Sequence, residues 1–265
     1  MTFRLLCISL LCIACLSACT TSPTGRKTIK LYSSSQLANM GTQAFDSMKS
    51  EQKVSSKTVE NEYVRCIATH IAQQVPDNVF AGEWEVVVFD EDQINAFALP
   101  GGKIGVYTGL LNVAENQHQL AAVIGHEVAH VIAEHGNERM SSGTLINLGM
   151  EATNQILQSN QVGQTPMIMS AIGLGVQVGV QLPFSRTHES EADIIGLDLM
   201  AKAGFDPQQS VNLWQNMAKA SGGQRQPELL STHPAPDSRI KMLQKNMKGA
   251  MQSYKLSKNK PNCRP

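Results

Sequence analysis

The 265-residue sequence predicts a mostly helical α+β fold. Two observations carry that expectation. Apolar residues recur at helical spacing in several separate segments, whereas β-branched runs are confined to residues 83–111. The charge is balanced, 22 basic side chains against 22 acidic, so no nucleic-acid footprint is indicated. Aromatic residues make up only 5% of the chain, which leaves Leu, Ile, Val, Ala and Met to build the core.

Residues 1–18 read as a secretory signal: Arg4, then an apolar run from Leu5 to Leu16, then the small residues Ser17 and Ala18. The run is too short for a comfortable membrane span, which takes about 20 apolar residues. The stretch "LSAC" resembles a bacterial lipobox, which implies that Cys19 is lipidated and becomes the first mature residue. A plain signal peptide cut near Ala18 is the alternative. By the same resemblance, Thr20 in place of Asp implies passage to the outer membrane, on its periplasmic side. Removal of residues 1–18 takes away Cys7, Cys12 and Cys15, so Cys66 and Cys263 remain beside Cys19. In an oxidising compartment these two thiols either pair, pinning the C-terminal tail, or stay free.

Residues 19–32 are polar with Pro and Gly, and read as a lipid-anchored tether. The main domain is expected over 33–250, followed by a loose polar tail, 251–265. Its first helix lies in 33–50 with Leu37, Met40 and Phe45 inward. A second, 57–74, places Val59, Tyr63, Ile67 and Ile71 on one stripe and stops before Pro76. Strands follow at 83–90 and, around the Pro100-Gly101-Gly102 turn, at 94–111. The next helix, 116–135, has Asn116 and Gln119 as a capping pair and Gly136 as its C-cap. The apolar segment 167–184 reads as a buried, closely packed helix. Gln177, Gln181 and its spaced glycines favour that over a membrane span. Helices over 187–203 and after Asp206-Pro207 complete the series.

The chemistry is concentrated in "GHEVAHVIAEHG", residues 125–136. On a helix His126 and His130 share one face and can place two imidazole nitrogens on one cation. Glu127, one step round, can reach a water on that cation and act as its base. A third ligand is needed. His135 fails, because Ala133 and Gly136 stand where the metzincin pattern has Gly and His. Glu189, in "SRTHESEADIIGLDLM", is the better candidate. Asp193 lies one turn on and is placed to hold the free ring N–H of a ligating histidine. Gly196 extends that face and lets the two helices approach. His188 and Glu191 are expected in solvent.

Taken together, "HEVAH", "FSRTHESEADIIG" and "STHPAPDSRI" resemble the gluzincin family of zinc metalloendopeptidases that includes HtpX, BepA, LoiP, the CaaX prenyl-protein protease and the mitochondrial inner-membrane overlapping-activity protease. The resemblance covers roughly residues 24–245 and is nearest to periplasmic lipoprotein members. It implies a zincin-like core with a small β-sheet beside the HExxH helix and one Zn2+ per chain on His126, His130 and Glu189, with Glu127 as base. Unlike BepA, the sequence leaves no room for a tetratricopeptide domain. His233 matches the histidine of the family's "HP" motif, where it either steadies an oxyanion or occupies the open zinc position. Arg186 and Arg239 fit the pattern as ion-pair formers. Asn95, Ala96, Phe97 and Ala98 resemble the family's cleft strand, which holds an extended peptide as an added strand. The implied partners are unfolded or misassembled envelope polypeptides and, through the lipid, a membrane. A non-proteolytic assembly factor with a structural or plugged zinc site is the alternative.

Overall fold

The computed structural model describes residues 19–220, Leu229, His233 and residues 236–265. The expected signal segment lies outside them, as does the side chain of Cys19. In chain order the elements are strands β1 (Cys19–Thr21) and β2 (Lys27–Ile29), helices α1 (Ser34–Glu51) and α2 (Thr58–Ala72), and strands β3 (Glu85–Phe89), β4 (Ala96–Leu99) and β5 (Lys103–Tyr107). Then come α3 (Thr108–Leu111), α4 (Gln117–Ile132), α5 (His135–Ser159), α6 (Thr165–Val176), a π-helical stretch Gln177–Gln181, α7 (Leu182–Lys202), α8 (Gln209–Ala220) and α9 (Pro236–Leu256). They fall into two compact units. One comprises Ser34–Ala133 and His188–Pro265, the other the described residues up to Ser33 and Glu134–Thr187.

In the larger unit, the sheet runs in the order β3-β5-β4, with β3 parallel and β4 antiparallel to β5. Gly101 and Gly102, both at positive φ, make the tight connection from β4 to β5. Side chains alternate along β4. Ala96 and Ala98 join the main core with Ile104, Val106, Leu120, Ile124 and Val128, while Phe97 turns into an aromatic cluster with Phe45, Phe89 and Tyr107. Helix α2 adds Tyr63, Val64, Ile67 and Ile71 to the core.

Several expectations need correction. Val59 and Met40 are exposed, and Gly41 takes the inward place near Met40. Helix α4 ends at Ile132, with Glu134 in the left-handed conformation at φ 55°, so Gly136 lies inside α5 and caps nothing. Residues 108–111 are a helical turn, not the end of a strand. The tail is not loose: Cys263 is bonded to Cys66, and Gln117 holds it through Cys263 N–H and Pro261 C=O.

In the smaller unit, residues 19–29 form an antiparallel hairpin instead of a plain tether. Arg26 grips Glu138 with two hydrogen bonds of 2.9 Å, and Leu31 N–H donates to Ser141 Oγ. Asn137 donates to Tyr32 C=O. None of the residues of segment 167–184 whose side chains are described is buried, and α6 has no buried residue at all. Its spaced glycines face open space, apart from Gly173, which meets only the tip of Met150.

Candidate metal centre

Helix α4 starts where Asn116 Oδ1 accepts the N–H groups of His118 and Gln119, while Gln119 Oε1 accepts that of Glu115. From Gln119 to Val131 all but Ala122 are buried, so the helix passes through the core and delivers His126, Glu127 and His130 away from water. Helix α7 supplies Glu189 and Asp193 from one face. Gly196 explains how the two helices come so close: a Cβ there would lie 2.8 Å from His126 N. His188 and Glu191, expected in solvent, are buried, because α7 is enclosed on more than one side.

Four donor atoms converge. His126 Nε2 stands 3.1 Å from His130 Nε2, 3.2 Å from Glu189 Oε2 and 3.3 Å from His233 Nδ1. His130 Nε2 lies 3.5 Å from Glu189 Oε1, and His233 Nδ1 lies 2.7 Å from Glu189 Oε2. Zinc ligands at about 2.0–2.1 Å in a tetrahedron are about 3.3–3.4 Å apart, so the two histidines of α4 and Glu189 fit that ion. Glu127 Oε1 is buried without a hydrogen-bond partner among the described residues, with His233 Nε2 at 3.5 Å. An orphaned carboxylate oxygen beside this cluster fits a site that also takes a water.

Behind the cluster lies a buried ion pair. Asp193 Oδ1 is 3.2 Å from His126 Nδ1, and Asp193 Oδ2 accepts Arg239 Nε at 2.9 Å. Arg239 Nη2 also sits 2.9 Å from His126 Nδ1 and 3.1 Å from its Nε2. An in-plane partner of one ring nitrogen lies far from the other, since their lone pairs diverge, so Nη2 is over the face of the imidazole. That leaves Nδ1–H free to donate to Asp193 and Nε2 free to bind a cation. The guanidinium is itself stacked on Trp214, its Cζ 3.8 Å from the ring centroid.

Charge is tuned accordingly. Burial and Arg239 push His126 down, but Asp193 and Glu189 outweigh them and raise it to about 9. Burial raises Glu189, yet hydrogen bonds from His126 and His233 hold it far below the usual carboxylate range. Asp193 is likewise lowered: burial opposes this, and the Arg239 charge prevails.

The structure therefore brings together His126, Glu127, His130, Glu189, Asp193 and His233. Asn95 to Ala98 lie at β4, the sheet edge packed against α4, where no strand covers the outer side among the described residues. Cys66 and Cys263 form a disulfide apart from this cluster. Arg239, expected as an ion-pair former without a named partner, touches Asp193, Glu189 and His126 together.

A family model described as Peptidase family M48 matches residues 58–247. The mitochondrial metalloendopeptidase OMA1 of Arabidopsis thaliana is 34% identical over 229 residues, 85% of this chain and 44% of that protein. The metalloendopeptidase OMA1 of Bos taurus is 36% identical over 204 residues, 74% of this chain and 37% of its own length. The beta-barrel assembly-enhancing protease of Escherichia coli (strain K12) is 33% identical over 159 residues, 58% and 32% of the two. The chain thus spans less than half the length of these relatives. With the family model covering well over half of its residues, this chain belongs to peptidase family M48.

Proposed function

We propose that the chain is a zinc-dependent endopeptidase, lipid-anchored through Cys19 at the periplasmic face of an outer membrane, that cleaves misfolded or misassembled envelope proteins. The observation that carries the enzymatic part is the convergence of His126, His130 and Glu189 beside the partnerless Glu127 Oε1. The Cys66–Cys263 bond supports an oxidising compartment. Bound zinc supplies Lewis acidity that polarises a carbonyl and acidifies water. Asp193 orients the ring of His126, and Arg239 neutralises the carboxylates behind it. The free edge of β4 holds the substrate backbone as an extended strand, so selection is for unfolded chain rather than for one side chain. Glu127 takes the proton of the attacking water at Oε1 and passes it to the leaving amine.

One observation favours a second state. His233 Nδ1 stands at the fourth corner of the donor set, 2.7 Å from Glu189 and 3.3 Å from His126. In this arrangement His233 plugs the open position, the feature a non-proteolytic assembly factor would keep permanently. The experiment is cleavage of unfolded casein by the purified zinc-loaded chain and by His233→Ala. A more active variant identifies a plug that normally swings away. A less active one identifies an oxyanion donor. Absence of cleavage by both, with zinc bound, overturns the peptidase assignment.

A further inference from the structure

Trp214, on α8, is buried and could pass for filling of the core it shares with Leu213, Met217 and Leu243. Its neighbour gives it a second task. The Arg239 guanidinium lies flat on its ring, Cζ 3.8 Å from the centroid, and that same guanidinium stands directly behind the ligands.

Hydrogen bonds hold a planar guanidinium by its edge. Arg239 Nε donates to Asp193 Oδ2 at 2.9 Å and Nη2 to Oδ1, while Nη1 lies 3.4 Å from Glu189 Oε2. Bonds of this kind fix the group within its own plane and leave it able to tilt out of that plane. The indole, stacked on one face, opposes the tilt. Close packing does not do so unaided: a cavity of about 20 Å³ borders Trp214, Arg239, Asp193 and His126 together.

The tilt has an electrostatic cause once a metal binds. Arg239 Nη2 stands 3.1 Å from His126 Nε2, the nitrogen offered to zinc. A zinc ion about 2.0–2.1 Å from that nitrogen is within about 5 Å of Nη2, and two cations that close repel. Asp193 and Glu189 counter the repulsion through the edge of the group. The face of tryptophan, the aromatic surface that attracts a cation most strongly, adds a further hold without adding an acid to the centre.

We infer that Trp214 is a positioning residue of the metal centre. It keeps the Arg239 guanidinium in line with Asp193, so that Asp193 holds the His126 ring and Nε2 keeps its aim, a role that rests on zinc binding at His126, His130 and Glu189 and not on any substrate.

The test measures zinc affinity of the full chain by competition with a chromophoric chelator, for the parent, Trp214→Leu and Trp214→Phe, each checked for folding by circular dichroism. The expected result is a loss of about 10–100-fold in Trp214→Leu and a smaller loss in Trp214→Phe, whose ring still offers a π face. Parental affinity in a folded Trp214→Leu chain overturns the inference, since a residue that only fills the core lowers stability and leaves affinity alone. Because Trp214 acts through Arg239, Trp214→Leu should add little to the loss that Arg239→Met causes; fully additive losses overturn the inference as well. The native residue gives a reading that needs no change at the site. In a Trp84→Phe chain Trp214 is the one remaining tryptophan, and its emission should shift as the metal-free protein takes up one zinc, because the arriving charge presses the guanidinium on its ring. An emission that stays fixed while zinc binds overturns the inference. Zinc missing from the parent chain would remove the metal centre itself, whereas equal affinity in parent and Trp214→Leu removes the role of Trp214 and leaves the metal centre standing.

Discussion

Glu127 Oε1 and His126 Nε2 define what the site does at the scale of single atoms. An unpartnered buried carboxylate oxygen is costly unless something donates to it, and water is the donor the chemistry needs. Glu127→Gln removes the base and keeps the shape. It should lower casein cleavage by about 10²–10⁴-fold while metal analysis still finds one zinc per chain; retained cleavage excludes Glu127 as base. His126 makes a different prediction. Its imidazole is raised to about 9 without a cation, so at pH 7 it carries a proton that zinc must displace, whereas Glu189, held low, is already ionised. Apparent zinc affinity should therefore climb with pH from 6 toward 9. Titration calorimetry at pH 7 in two buffers of different ionisation enthalpy should report about one proton released per zinc. Arg239 tests the support behind the ligands. With both partners about 3% exposed, Arg239→Met strands the Asp193 carboxylate and should cost about 3–5 kcal/mol in a denaturant titration.

Among elements, the meeting of α4 and α7 matters most, since each carries part of the ligand set. Their approach hinges on Gly196, where a methyl group would stand 2.8 Å from His126 N and 2.9 Å from Gly125 C. Gly196→Ala should force the helices apart, destabilising the chain by about 1–3 kcal/mol and loosening zinc; unchanged affinity by competitive chelation would show that the helices yield elsewhere. This contact was legible in the sequence because i, i+4 spacing fixes which side chains share a face. So were the strands and the Gly101-Gly102 turn, each marked by local chemistry. Other features were not. The end of α4 falls on Glu134, a residue with no intrinsic preference for positive φ, so Gly136 was the natural but wrong choice. His188 and Glu191 read as solvated because local pattern does not reveal a helix enclosed on several sides. The segment 167–184 read as buried because apolarity alone does not say whether protein or lipid covers it.

At the scale of the whole molecule, one covalent link joins two core segments far apart in the chain. Cys66 in α2 and Cys263 are 197 residues apart and bonded, and the tail between α9 and the C-terminus is pinned to Gln117 at the start of the metal-bearing helix. A loop that long restricts the unfolded chain strongly, and removing such a link from a secreted domain costs about 2–5 kcal/mol. Cys263 is also buried beside the core, so the bond holds the tail over apolar surface as well as shortening the unfolded ensemble. The sequence raised the pairing only by subtraction, once the other cysteines had been assigned to the N-terminal segment. Reduction, or Cys66→Ser with Cys263→Ser, should lower the unfolding free energy extrapolated from a urea titration by that amount. Because no ligand of the metal centre comes from the tail, the serine double variant should still bind zinc with native stoichiometry below its transition. Loss of zinc from a variant that remains folded by circular dichroism would show instead that the tail sets the geometry of α4.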